Sequence, residues 1–128
     1  MARKFSFRGK TIDEVRALTL DEFIKLVPSH ARRTLKRMGM QVRKFLEKYR
    51  DDKKKAKAFK THFREMVVIP EMLDSHVFVY DGRQYVDVFI VPDMLGHRLG
   101  EFAITTKLVK HSGPGIGATR GSKTVELK

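Results

Sequence analysis

His76-Val77-Phe78-Val79-Tyr80 and Tyr85-Val86-Asp87-Val88-Phe89-Ile90 flank the dipeptide Asp81-Gly82. Both runs are rich in β-branched and aromatic residues, and Asp-Gly suits the positive φ angles of a tight hairpin turn. Two antiparallel strands are therefore expected. The first is apolar at successive positions, which predicts cover on both of its faces. Just upstream, Met66-Val67-Val68-Ile69 has strand composition and stops at Pro70. Downstream, Pro92-Asp93-Met94-Leu95 places proline at the first position of one helical turn. Gly96-His97-Arg98-Leu99-Gly100-Glu101-Phe102 follows, its two glycines bracketing a turn.

Toward the N-terminus the period changes from strand to helix. Thr11-Ile12-Asp13-Glu14 and Thr19-Leu20-Asp21-Glu22 are two Thr-x-x-Glu capping boxes, predicting short helices near 12–18 and 20–26. Pro28 ends the second, because the residue before proline is pushed out of helical geometry. From Ser29 onward Leu35, Met38, Val42, Phe45 and Tyr49 recur every three or four residues, one apolar stripe on a helix of about twenty residues. Gly39 sits inside it at about 1 kcal/mol relative to Ala, and a break or kink would fall there. Residues 51–60 are mostly charge and read as a frayed helix end or a linker. Beyond Lys107 periodicity is lost, and Gly113, Pro114, Gly115, Gly117 and Gly121 crowd a tail without a core of its own.

Charge narrows the function. The 128 residues hold 27 Lys and Arg against 15 Asp and Glu, a formal net charge of +12, with no cysteine. Disulfides, thiolate metal sites and cysteine nucleophiles are excluded. No run approaches the roughly 18 apolar residues of a membrane span. Met1 to Arg8 has charge but no apolar stretch behind it, so no signal peptide is expected. Residues 1–60 carry +12, residues 61–105 carry −4 and residues 106–128 carry +4. Blocks of like charge repel, so the basic flanks are expected to order fully only on a polyanion.

Between Ser29 and Lys60 there are 13 basic and 3 acidic side chains. A merely solvated face usually alternates sign, whereas phosphate binding explains the imbalance. Arg32, Arg33, Lys36, Arg37, Arg43, Lys44, Lys48 and Arg50 lie off the apolar stripe, and Lys53, Lys54, Lys55 and Lys57 extend the run. Nucleic acid is the favoured partner. A membrane surface is the other polyanion, disfavoured because Trp is absent and the apolar stripe faces the core. Gly113-Pro114-Gly115-Ile116-Gly117-Ala118 matches a dinucleotide pattern only nominally, since no helix is expected after it. The tail is instead read as a flexible segment charged by Lys107, Lys110, His111, Arg120 and Lys123.

The five histidines are scattered, without metal-pair spacing, and no metal or cofactor is expected. His97 and Glu101 are four apart and, with Arg98 as phosphate clamp, could serve as the acid–base pair of an RNA-cleaving enzyme. A partly exposed histidine beside a turn carboxylate is the preferred reading, because no nucleophile, metal or cofactor completes a site. A DNA-architectural role is a third option.

Pro70-Glu71-Met72, Val79-Tyr80-Asp81-Gly82-Arg83, Val88 to Pro92 and Met94-Leu95-Gly96-His97-Arg98-Leu99-Gly100-Glu101-Phe102 occur in order, with Lys60-Thr61-x-x-Arg64 upstream. This series strongly resembles the small-subunit ribosomal protein family numbered nineteen in bacteria and fifteen in eukaryotes. The likeness to the universal core runs from about Lys60 to Thr106. The helical N-terminal region and His111 to Thr119 look like the archaeal and eukaryotic branch, and the short Met1–Gly9 start favours an archaeal member. At Leu73-Asp74-Ser75 the chain departs from the family, which usually has a glycine there, so the turn geometry at Asp74 is in question.

The resemblance implies a non-enzymatic, cytoplasmic, ribosome-bound component in the head of the small subunit. Its implied partners are ribosomal RNA, the neighbouring ribosomal protein numbered thirteen and, through the tail, the decoding site and its transfer RNA. It implies that Lys60, Arg64, Arg83, His97 and Arg98 contact RNA on or beside a rigid sheet platform. The expected fold class is α+β: a small three-stranded, mainly antiparallel sheet core with N-terminal helices and a basic flexible C-terminal tail. The expected division is 1–59, 60–106 and 107–128.

Overall fold

The computed structural model describes residues 4–111. Arg120, Lys123 and the glycine-rich tail lie outside the described residues. Four helices precede the sheet: α1 (Ile12–Arg16), α2 (Leu20–Leu26), α3 (Ser29–Arg37) and α4 (Gly39–Lys54). Three strands follow, β1 (Phe59–Thr61), β2 (His76–Tyr80) and β3 (Tyr85–Phe89), with 3₁₀ turns at Pro70–Met72, Pro92–Met94 and Leu99–Glu101. The α+β reading holds.

Both capping boxes form. The Thr11 and Thr19 hydroxyls accept from the amides of Glu14 and Glu22, whose carboxylates accept in return from the Thr amides. The backbone bond from the Thr19 amide leads in holding the Glu22 carboxyl below its ordinary range. Pro28 ends α2 and opens α3, where the Arg32 amide donates to the Pro28 carbonyl at 2.9 Å. The single long helix expected from the apolar stripe is in fact two. Met38 leaves helical geometry at φ −96°, ψ 26°, capping α3 at its C-terminus and α4 at its N-terminus. Leu35, Val42, Phe45 and Tyr49 are still buried in one cluster, so the apolar stripe stays inward on both sides of the break. Asp51 to Lys54 continue α4, so only the residues after it form a connection.

The sheet order is β1-β2-β3, with β1 parallel to β2 and β2 antiparallel to β3. Five register pairs join β2 to β3 and three join β1 to β2, a mixed sheet in which antiparallel pairing predominates. The first strand is not the one expected. Phe59–Thr61, hidden in a charge run, pairs with Val77–Val79, while Met66–Ile69 makes only one antiparallel bridge, Val67 to Arg98. A ladder cannot extend there, because the facing segment turns at Gly96, with φ +81°, and again at Leu99–Glu101. The hairpin loop spans four residues, Asp81–Gln84, and the Asp81 carboxylate accepts from the Gln84 and Arg83 amides at 2.8 Å each. Those two bonds hold its pKa below the ordinary range.

Among the described residues one cluster of buried side chains runs from Val15 through Phe23, Leu35, Phe45 and Val68 to Leu99 and Ala103. Apolar side chains of the N-terminal basic flank, Val15, Phe23, Leu35 and Phe45 among them, are part of this cluster. In β2, Val77 and Val79 are buried, whereas His76 is exposed and Phe78 and Tyr80 are half-buried. The expectation of cover on both faces is corrected to alternation, as in a sheet with one solvated face.

Asp74, the departure from the family pattern, adopts φ +56°, a left-handed conformation that favours glycine. Its carboxylate pairs with Arg16 at the end of α1, and its amide donates to Ile90 at 3.0 Å. Asp74→Gly should leave stability within about 1 kcal/mol of wild type, relief of strain offsetting the lost exposed pair. Asp74→Val should lose about 1–2 kcal/mol, because a β-branched side chain is strongly disfavoured there. Urea unfolding of the two variants checks the order.

Candidate nucleic-acid interface

The basic run does not form one face. The break at Met38 distributes it around the helix pair. Arg33 and Arg37 on α3 line a cleft with His30, Thr34 and Arg98, where the Arg98 guanidinium donates to the Thr34 hydroxyl at 3.1 Å. Lys36 and Arg43 line a groove between α2 and α4. Lys44, with Lys48 and Lys60, lines an open groove between α4 and β1. Lys53 and Lys54 are exposed on the last turn of α4, and Lys55 and Lys57 lie in the connection beyond it. Arg83 is exposed in the hairpin loop, and Lys107, Lys110 and His111 are exposed on the last described segment, which has no helix or strand.

Several residues of the sequence-derived set have internal partners, and Arg32 and Arg64 each donate to three carbonyls. The Arg32 guanidinium donates to the carbonyls of Ile24, Lys25 and Val27, at 3.2, 2.9 and 3.3 Å, capping the end of α2. Arg64 donates to the Tyr80 carbonyl at 2.6 Å, the Gly100 carbonyl at 2.9 Å and the Ala103 carbonyl. It thereby ties β2 to the Leu99–Glu101 turn. Gly100 allows this approach: a Cβ there would lie 3.1 Å from the Arg64 carbonyl oxygen. Charge counting cannot separate such arginines from phosphate contacts, because both appear as basic residues beside polar ones.

His97 Nδ1 lies 2.8 Å from Glu101, and both side chains are about half exposed. The pair spans the Leu99–Glu101 turn. Among the described residues no helix is long and apolar enough to cross a membrane. The sequence reading missed His30 and Thr34 as cleft residues, and Tyr85 and Phe89 as exposed rings. The signal for the rings was present in the alternation of valine with aromatics along β2 and β3.

Arg64→Ala should lower stability by about 2–4 kcal/mol, and Arg64→Lys should recover little, since a single ammonium cannot span three carbonyls. Chemical denaturation measures both. The Arg50 side chain donates to Glu71 at 2.7 and 2.9 Å and holds that carboxyl below its ordinary value of 4.5. A carboxyl lowered on folding stabilises above its unfolded pKa, and the contribution disappears as pH falls through the folded value. The thermal midpoint should therefore drop as pH falls below about 4.5, and less steeply in Glu71→Gln. The effect is modest because the pair is exposed.

Comparison with known proteins accords with this geometry. The family described as Ribosomal protein S19 matches residues 33–111, which include α4, all three strands and the His97–Glu101 turn. The chain is 44% identical to the "Small ribosomal subunit protein uS19" of Saccharolobus solfataricus over 98% of this chain and 93% of that protein. It is also 44% identical to the uS19 protein of Picrophilus torridus over 99% of this chain and 83% of that one. On this extent of likeness the chain belongs to the ribosomal protein S19 family, whose members are structural, non-enzymatic constituents of the small ribosomal subunit.

Proposed function

We propose that this chain is held in the head of the small ribosomal subunit by ribosomal RNA, which it grips through the basic grooves around α3 and α4. The observation that carries the reading is that Arg33, Lys36, Arg37, Arg43 and Lys44 are all exposed, while the apolar side of the same helices is buried. An exposed basic surface of this density needs counter-charge, and each neutralised phosphate releases counterions. Phosphate contacts position a protein without reading sequence, so RNA shape selects the site. Lys53, Lys54, Lys55, Lys57, Lys60, Arg83, His97 and Arg98 extend the contact. Arg32 and Arg64 support it indirectly by holding α2 and the sheet.

The neighbouring ribosomal protein numbered thirteen is the proposed protein partner. Lys107, Lys110, His111, Arg120 and Lys123 belong to a tail that we direct toward the decoding site and its transfer RNA, in a cytoplasmic ribosome.

Filter binding to transcribed small-subunit ribosomal RNA tests the phosphate contacts. With about eight phosphates neutralised, log affinity against log salt should slope at about −6. Reversing Arg33, Lys36 and Arg37 to Glu together should weaken binding by about 3 kcal/mol or more, at about 1 kcal/mol per charged contact. A flat salt response, or unchanged affinity in the folded triple variant, would overturn the assignment.

A further inference from the structure

The outward face of the sheet is aromatic where a solvated face is usually polar. Register pairing sets Tyr80 opposite Tyr85, Phe78 opposite Asp87 and His76 opposite Phe89, while Val77, Val79 and Val88 on the other side carry the core. The outer rings are thus not needed to bury the sheet. They form two clusters. Tyr80 and Tyr85 have centroids 5.2 Å apart, and the His62 ring lies 4.3 Å from Tyr80. His76 and Phe89 lie 4.9 Å apart at the other end. Phe89 is 45% and Tyr85 37% exposed. Alternate residues on a strand are roughly 6.8 Å apart, so His76 to Tyr80 spans about 13 Å, room for two or three splayed bases.

The charge beside the rings points to the same ligand. Lys60 lies over the Tyr85 ring at 5.3 Å and also lines the groove with Lys44 and Lys48, so a basic channel leads from α4 onto the aromatic face. The one carboxylate on the paired strands of that face, Asp87, is taken by His76 at 2.9 Å.

We propose that this face stacks unpaired bases of a single-stranded RNA segment whose phosphates follow the Lys44–Lys48–Lys60 groove. The proposal rests on the RNA-binding reading above and adds base contact to it. Rings of any base can stack on such a platform, so the contact tolerates sequence.

The test uses the full chain, a labelled eight-nucleotide RNA and an abasic oligomer of equal length and charge. Wild type should bind the RNA about tenfold or more tighter than the abasic strand. Tyr85→Leu with Phe89→Leu keeps apolar bulk but removes the rings, and should abolish that difference while leaving abasic binding unchanged. Lys44→Glu with Lys48→Glu should weaken both ligands in parallel. Independently of any variant, the Tyr85 and Phe89 ring protons of wild type should shift upfield with RNA and not with the abasic strand. Equal binding of the two ligands by wild type would overturn base stacking and leave the phosphate reading standing. Binding of neither would overturn both. A dimer seen in sedimentation and abolished by the ring substitutions, with the RNA preference intact, would make the face a self-interface and overturn the proposal.

Discussion

Met66, Val67, Val68 and Ile69 are buried in succession, and a backbone enclosed on all sides must find its hydrogen bonds within the protein. The Gly96–Gly100 segment supplies them. The Val68 amide donates to His97 at 2.8 Å, Gly96 to Val68 at 3.2 Å, Leu99 to Met66 at 2.9 Å and Gly100 to Arg64 at 2.8 Å. This pairing draws the residues after the sheet back to those before it, with the helices packed around the same cluster. It also explains the density of glycine in the turn. Gly96 supplies a positive φ, and at Gly100 an added Cβ would be crowded against the Arg64 carbonyl oxygen.

The basic residues divide along this frame into those bonded within the protein and those left exposed. Arg64 and Arg32 are held by carbonyls at the ends of elements, and Arg98 reaches Thr34 across the junction between α3 and the turn. Arg33, Lys36, Arg37, Arg43 and Lys44 stay exposed. The guanidinium suits the first role because its planar fork can satisfy several acceptors at once. The exposed basic surface is thus supported from beneath by arginines bonded to backbone carbonyls. In a family of non-enzymatic ribosomal constituents, the His97–Glu101 pair likewise belongs to the turn and not to a reaction.

Much of this was legible in residue order. Both capping boxes, the hairpin, the proline-led turn at Pro92 and the α+β class follow from local chemistry, in which partners sit three or four residues apart. Likewise, the position noted at Asp74 proved to be one where the backbone turns left-handed. The failures were non-local. Phe59–Thr61 is a strand only because Val77–Val79 lies beside it, and Met66–Ile69 is not one because its partner curves away.

By itself, then, the sequence determined the starts of the first three helices, the hairpin, the excess of positive charge and the likeness that named the family, since each depends on short spacing or on composition. Tertiary structure alone decided which arginines bond to carbonyls and which face solvent. It also decided how the break at Met38 spreads one charge run over three grooves, and that the aromatic residues of β2 and β3 share one open face. Those outcomes depend on residues brought together from as much as 64 positions apart, as in the Arg98–Thr34 contact. No local pattern encodes that distance, because the contact exists only once the core has closed.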